Sequence, residues 1–408
     1  MSYFPNRLEY GDNASVDAFG RARVSSTESL FDSTMHFNTG SLIWETEKVG
    51  AGSSVVYDSN SSSCILNVGT DASDYCLRQS RGYMRYQPGK SLIITNTFVM
   101  GSGVGNVSRR VGYFDDNDGI YLEQTGSNVN LIRRTSDSGS PVNNAVSQSS
   151  WNLDKLDGTG KSGISLNLTK AQIFCLDLQW LGEGRIRCGF NIDGSLHYVH
   201  QFTIANVIST VSMKTANLPI RYEIRSNALS SGGSLTQICS SAMIEGTFEK
   251  HGRSFVAATT TGSVAVTSRR PILSIRPKLT FDNITGVVNR MLIVPMDIVL
   301  LATSNNAYWE LVYSGSLTGA VFSSVNGESS VDFDVAASAI SGGISVVGGY
   351  IAASATIRAV TQFDIPMSFR YPLVLDKNGA NPIPLTVVVT SMNATSNVSS
   401  VINWKEFE

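Results

Sequence analysis

From Gln172 to Arg225 the chain alternates apolar and polar residues. Phe174, Leu176, Leu178 and Trp180 alternate with Asp177 and Gln179; Ile186, Cys188, Phe190 and Ile192 alternate with Arg185, Arg187 and Asn191. Leu196, Tyr198, Phe202 and Ile204 follow, set against Ser195, His197, Gln201 and Thr203, and then Ile220, Tyr222 and Ile224 against Arg221, Glu223 and Arg225. Period two with one apolar face predicts half-buried antiparallel strands. Asp193-Gly194 between two runs supplies the positive φ angles of a tight hairpin. The face carrying Phe174, Leu176, Trp180, Ile186, Phe190, Tyr198 and Phe202 is the expected core.

The same rhythm extends outward. Short runs at 53–57, 63–68, 92–100, 111–115, 119–124 and 129–134 are punctuated by Gly, Asn and Asp. No long run has helical periodicity. The expected fold is all-β: a jelly-roll or lectin-like antiparallel sandwich over 51–250, then a second, smaller β-sandwich over 270–408. Residues 251–269, rich in Ser, Thr, Ala and Gly, read as a linker or a strand leading into the second unit. Strands there are expected at 290–294, 298–302, 309–313, 331–335, 344–351, 385–390 and 400–404.

Residues 1–50 break the rhythm and read as an extended N-terminal arm with one or two short strands. A compact set of anchors (Phe19, Leu30, Phe31) and charges (Asp17, Arg21, Arg23, Asp32) sits in it. Such an arm either lies on its own sandwich or docks on a neighbouring subunit, gaining backbone pairing and side-chain pockets there. The expectation adopted is docking and assembly.

Composition narrows the function. Net charge is −2 over 408 residues, with only 16% charged. No global field draws the chain to nucleic acid, and no apolar run is long enough to insert in a membrane. The five cysteines, Cys64, Cys76, Cys175, Cys188 and Cys239, form no CxxC pair. Cys175 and Cys188 read as small buried hydrophobes. His197 and His200 fall on opposite faces of one strand, so they cannot share a metal. Asp115-Asp116-Asn117-Asp118-Gly119 begins like a calcium loop, but its Gly falls early and no Glu closes it, which leaves an Asx turn. Asp157-Gly158-Thr159-Gly160-Lys161-Ser162 lacks phosphate-loop spacing. Asp177 and Glu183 are the nearest candidates for a glycosidase pair. Arg81, Arg85, Arg109, Arg110, Arg133 and Arg134 read as surface or interface arginines paired with acids. No catalytic, cofactor or metal residue is expected, and no enzyme. Tyr113, Tyr121 and Trp309 are the candidate glycan contacts.

Several stretches together resemble a family of tailed-bacteriophage virion structural proteins. They are Asp17-Ala18-Phe19-Gly20-Arg21-Ala22-Arg23-Val24-Ser25 with Leu30-Phe31-Asp32-Ser33, Arg85-Tyr86-Gln87-Pro88-Gly89-Lys90, Trp151 through Gly163, and Ser396 through Glu406. The resemblance implies a particle component, on neck, collar, fibre or tail, made in the host cytoplasm and located in the virion. Its partners would be copies of itself in a symmetric homo-oligomer and other virion proteins. The alternatives are a carbohydrate-binding module for a host-surface glycan and a sandwich-fold glycosidase.

Overall fold

The computed structural model describes residues 15–18, 20–248, 251–260, 262–281, 286–353, 360–365 and 371–408. The chain is all-β, with no α-helix among the described residues. It divides into two compact units, Met1–Glu249 and Lys250–Glu408.

The first unit stacks two antiparallel sheets. In one, the strands run in space as Ser195–Phe202, Ile186–Ile192, Gln172–Leu178, Leu92–Val99, Gly233–Glu245, Ser63–Val68 and Ser54–Asp58, with Thr27–Thr34 also pairing along Gly233–Glu245. The other runs Val142–Ser147, Asn128–Thr135, Gly119–Thr125, Val107–Phe114, Ile220–Ser226, Tyr75–Ser80 and Trp44–Val49. Phe98, Phe174, Leu176, Phe190, Tyr222 and Trp44 fill the space between. The first three of the alternating runs from 172 to 225 lie side by side in the first sheet, while the fourth, Ile220–Ser226, crosses to the other, between Val107–Phe114 and Tyr75–Ser80; the hairpin turn has φ of +50° at Asp193 and +77° at Gly194, as a primed turn requires. Phe174, Leu176, Ile186, Phe190 and Phe202 are buried and Trp180 packs against the core. Tyr198 is buried too, but away from that core. A register shift between Cys188 and Gly189 pairs it with Gly189, on the face that carries Asp177 and Arg187.

Two stretches resolve into strands. The short strands expected within residues 1–50 lie at 27–34 and 44–49, both in sheets of the first unit. Of the two readings of 251–269 the strand is found, at 253–258 and 264–266, both paired with the last strand, Ser396–Phe407. Their Ser/Thr/Ala composition hid an alternation, with Phe255 and Val264 packed inward.

The second unit has two main sheets. One is centred on Ser396–Phe407 and Leu292–Ala302, flanked by Arg253–Ala258 and Val360–Asp364. The other runs Ser323–Ser324, Val331–Asp334, Arg270–Pro277, Leu385–Ser391, Ala307–Tyr313 and Ile344–Ile351. Leu292–Ala302 joins two runs expected as separate strands; the register shift between Pro295 and Asp297 accommodates the proline, which lacks a ladder donor. Trp309, Trp404, Leu300 and Val387 lie at its core.

Candidate functional site

A dense set of buried charges lies on the face of the eight-stranded sheet that points away from the core. In the 172–178 strand Phe174 and Leu176 face inward, so Asp177 faces out. Arg187 stands directly opposite it on the next strand. Both are essentially inaccessible, at 1% and 0% exposure. Asp177 Oδ2 accepts from Arg23 Nη2 at 2.6 Å, Arg187 Nε at 3.1 Å and the Tyr198 hydroxyl at 2.8 Å. Its Oδ1 accepts from Ser91 Oγ at 2.8 Å. Arg23 also reaches Glu245 at 2.5 Å. Burial, and then the negative charge of Asp177, push the Tyr198 phenol up, so it stays a donor. The same two causes raise the Cys175 thiol to about 12, which keeps it protonated.

What closes this face is the N-terminal stretch itself. Residues 15–18 and 20–23 form a small knob: Val16 bridges Ala22, and Gly20, at φ +77°, donates its amide to the Asp17 carbonyl at 2.9 Å. The Asp17 carboxylate caps the turn, accepting from the Arg21 amide at 2.8 Å and from Arg21 Nε at 2.7 Å. The sheet then grips the knob. Gln179 Nε2 donates to Asp17 Oδ2 at 3.0 Å, Arg187 Nη2 to the Val16 carbonyl at 2.6 Å, and Arg185 Nε to the Ala18 carbonyl at 2.8 Å. Arg21 Nη2 donates to the Gly89 carbonyl at 3.1 Å, which ties two of the resembling stretches together.

The residues expected to dock elsewhere are therefore engaged at home. Asp17, Arg21 and Arg23 serve the knob, and Leu30 and Phe31 pack against the first unit's own core. Asp32 lies exposed on the 27–34 strand, whose backbone pairs with Gly233–Glu245. Phe19 is outside the described residues. The physical reason is complementarity. The sheet already offers acids to Arg23 and donors to Asp17, so the segment seats on it.

The expected glycan contacts are corrected too. Tyr113, Tyr121 and Trp309 are each 0% exposed. Tyr113 shares the inward face with Val107 and Val111, and its hydroxyl donates to the Met84 and Ala216 carbonyls at 3.0 and 2.5 Å. Trp309 likewise faces inward with Ala307 and Leu311. Tyr121 faces outward, but Phe114 and the guanidinium groups of Arg110 and Arg134 cover it. The glycosidase pair also fails. Asp177 is saturated by internal donors, while Glu183 is exposed in a turn.

On the outward face of the seven-stranded sheet, Arg110 bridges Glu123 and Glu223 at 2.7 Å each. Arg221 reaches Asp116 at 2.6 Å and Gln79 at 2.7 Å. Of the six arginines expected to pair with acids, Arg110 does so; Arg221 lies outside that set, while Arg109, Arg133 and Arg134 are buried and held by Gln124, by Asn143 and the Tyr121 hydroxyl, and by backbone carbonyls. The calcium-like loop is an Asx turn. Asp115 Oδ1 accepts the Asn117 and Asp118 amides, and Asp118 accepts from Ser136 and Lys214. Among the described residues no group of three metal-ligating side chains converges. In the 154–163 loop, Asp154 accepts the amides of Leu156 and Ser162. Burial would raise this carboxyl, and those amides more than offset it, so it stays below its ordinary value.

Of the site, the Asp177–Arg187 pair was open to sequence reasoning, because the two residues sit symmetrically about the 179–185 turn on the polar side of both runs. Ser91, Tyr198 and Glu245 were missed. No local pattern joins them to Asp177.

No family model matches this chain, and no curated protein is similar to it in sequence. Solved structures are similar in fold at low identity. A protein of unknown function from Shewanella oneidensis MR-1 is 11% identical, with TM-score 0.36, covering 58% of this chain and 94% of its own. A beta-1,3-glucanase from Mycobacterium marinum is 10% identical, with TM-score 0.36, covering 53% and 98%. The carbohydrate recognition domain of Emp47p is 10% identical, with TM-score 0.27, covering 50% and 89%. Similarity at this level assigns no role to any residue of this chain.

Proposed function

We propose that the chain is a non-catalytic structural subunit of a tailed-phage particle. The observation that carries this reading is the use made of Asp17 through Ser25, the stretch at the head of the virion-protein resemblance. Its residues 17–18 and 20–23 are built into the sandwich in a knob that engages Asp177, Arg187 and Glu245. A general acid, base or nucleophile has to reach a substrate atom, and Asp177, at 1% exposure and held by internal donors, has no access. The other resembling stretches also serve construction. Trp151 and Leu156 fill the first core, and Trp404 the second. The test is mass spectrometry of gradient-purified particles from the phage that carries the gene. The chain is expected in fixed proportion to the other particle proteins. Its presence in the lysate but not in particles overturns the reading, as does release of sugar from a surface polysaccharide by the purified protein.

A second reading, a glycan-binding module, draws on the outward face of the seven-stranded sheet. Asp116, more than half exposed there, and the half-buried Arg110 and Glu123 are polar charged groups of the kind that orient a ligand. Titration with host-surface polysaccharide, lost in Asp116→Ala, would favour it; no heat of binding counts against it.

A further inference from the structure

We propose that the outward face of the six-stranded sheet in the second unit carries a sugar-binding site, built on Tyr308 and Tyr350 and taking a neutral hexopyranose of a polysaccharide. The inference rests on the glycan-binding reading for its ligand class and gives that ligand a different place. In the Ala307–Tyr313 strand, Ala307, Trp309 and Leu311 face the core, so Tyr308 and Glu310 face out. Tyr350 stands directly opposite Tyr308, and Gly348 opposite Glu310. Trp309, the candidate favoured by sequence, is one residue away from the position that has the outward face.

Three observations carry the inference. The first is exposure. Phe37 and Tyr350 are the exposed aromatic side chains among the described residues. Phe37 lies in a bend, whereas Tyr350, at 69% exposure, lies on the strand at the end of its sheet. The second is shape. The Tyr308 and Tyr350 rings are 5.5 Å apart between centroids and tilted by 58°, which makes an open corner of two aromatic faces. Gly348 keeps that corner low. A Cβ there would meet the Tyr308 hydroxyl at 2.9 Å and its Cζ at 3.4 Å, so the missing side chain lets Tyr308 lean across the neighbouring strand.

The third is the chemistry beside the rings. The Glu310 carboxylate, 8% exposed, accepts from Arg269 Nε at 2.6 Å and from the Ser345 hydroxyl. Arg269 Nη1 donates to the Ile340 carbonyl at 3.2 Å, and its side chain stays 39% exposed. The guanidinium is therefore fixed, charge-balanced and open to one side. Thr390 flanks Tyr308 on the next strand. A partner that is apolar throughout finds two rings here and a polar surround. A pyranose, apolar on a ring face and rimmed by hydroxyls, matches both the rings and the polar groups. Because Glu310 already neutralises Arg269, the site suits a neutral sugar better than an acidic one.

The test is calorimetric titration of the full-length protein with neutral hexasaccharides of glucose, galactose and mannose. At least one is expected to bind, about tenfold more weakly to Tyr350→Ala and undiminished to Tyr350→Phe, which keeps the ring. Hydrogen exchange on the unaltered chain supplies a readout that needs no variant to fold. Peptides covering 307–313 and 344–351 should gain protection when the sugar is added. No binding by any of the three, or protection confined to other strands, overturns the proposal. Binding that survives Tyr350→Ala and is lost in Asp116→Ala places the site on the first unit, which overturns the proposal and leaves the glycan-binding reading standing.

Discussion

Asp177 in the first unit and Glu406 in the second are both buried carboxylates, and the chain satisfies them in opposite ways. Asp177 is met by two guanidinium groups, a phenol and a serine. Glu406 is met by four neutral donors: Ser329 Oγ at 2.6 Å, Trp404 Nε1 at 2.8 Å, and the Ser330 amide and Oγ at 2.8 and 2.7 Å. Burying a carboxylate is costly unless it is paired or fully hydrogen-bonded. Charge pairing leaves each partner dependent on the other, because removal of one strands a buried ion. Neutral bonding spreads the dependence over dipoles that each lose less than an ion when orphaned. The first arrangement ties a remote segment to a sheet. The second locks the 329–330 turn to the last strand.

Isosteric substitutions expose the contrast most directly. Asp177→Asn keeps the shape and removes the charge that Arg187 and Arg23 face. It is expected to cost about 3–5 kcal/mol, the loss typical of breaking a buried ion pair. Glu406→Gln leaves its donors neutral and is expected to cost about 1–3 kcal/mol, the range for a buried group left short of a partner. Urea unfolding, with each transition assigned to its unit by hydrogen exchange, measures both. Equal losses would show that charge pairing and neutral bonding are not distinct devices here.

A smaller effect is expected from Arg23→Ala, about 1–2 kcal/mol, because Asp177 keeps Arg187. Its sharper readout is local. Amide protection at Asp17, Gly20 and Arg23 should fall while the 172–178 strand stays protected. Unchanged knob protection would mean that Gln179 and Arg185 hold it without the ion pairs.

The smallest effect concerns pH, where the first unit has a contributor in His200. Burial lowers its imidazole to about 4, while the Asn152 amide donates to its Nδ1 at 3.3 Å. Between about pH 6.5, the ordinary histidine value, and about 4 the unfolded chain binds a proton there that the folded chain refuses. Stability is therefore lost as pH falls through that window. The advantage of the unaltered chain over His200→Gln, read from denaturation midpoints, should shrink between about pH 7 and about pH 4.5. A constant advantage would exclude His200 as the titrating group.

Period two made the strands legible, and the Asp193-Gly194 turn was readable down to its φ signs. Core membership followed wherever a strand was regular. Tyr113 and Trp309 were readable as well, since each shares a face with buried aliphatic neighbours, and the attraction of an aromatic side chain to sugars misled. Tyr198 failed because a bulge moves it off the face that its parity assigns. Tyr121 failed because its cover, Arg110 and Arg134, arrives from neighbouring strands. The socket was the least legible part. Arg23, Asp177 and Glu245 are brought together by sheet order, and no local spacing encodes that.

The strand from Ser396 to Phe407 pairs with Arg253–Ala258, Val264–Val266 and Leu292–Ala302. It is the centre of its sheet and yet follows every strand it joins in chain order. During synthesis the two strands of residues 253–266 and one edge of Leu292–Ala302 wait without the ladder that joins them until residues 396–407 leave the ribosome. That sheet of the second unit therefore closes late, whereas every strand of the other precedes residue 396. A messenger truncated before codon 396 would yield a finished first sandwich trailing an adhesive, protease-sensitive tail.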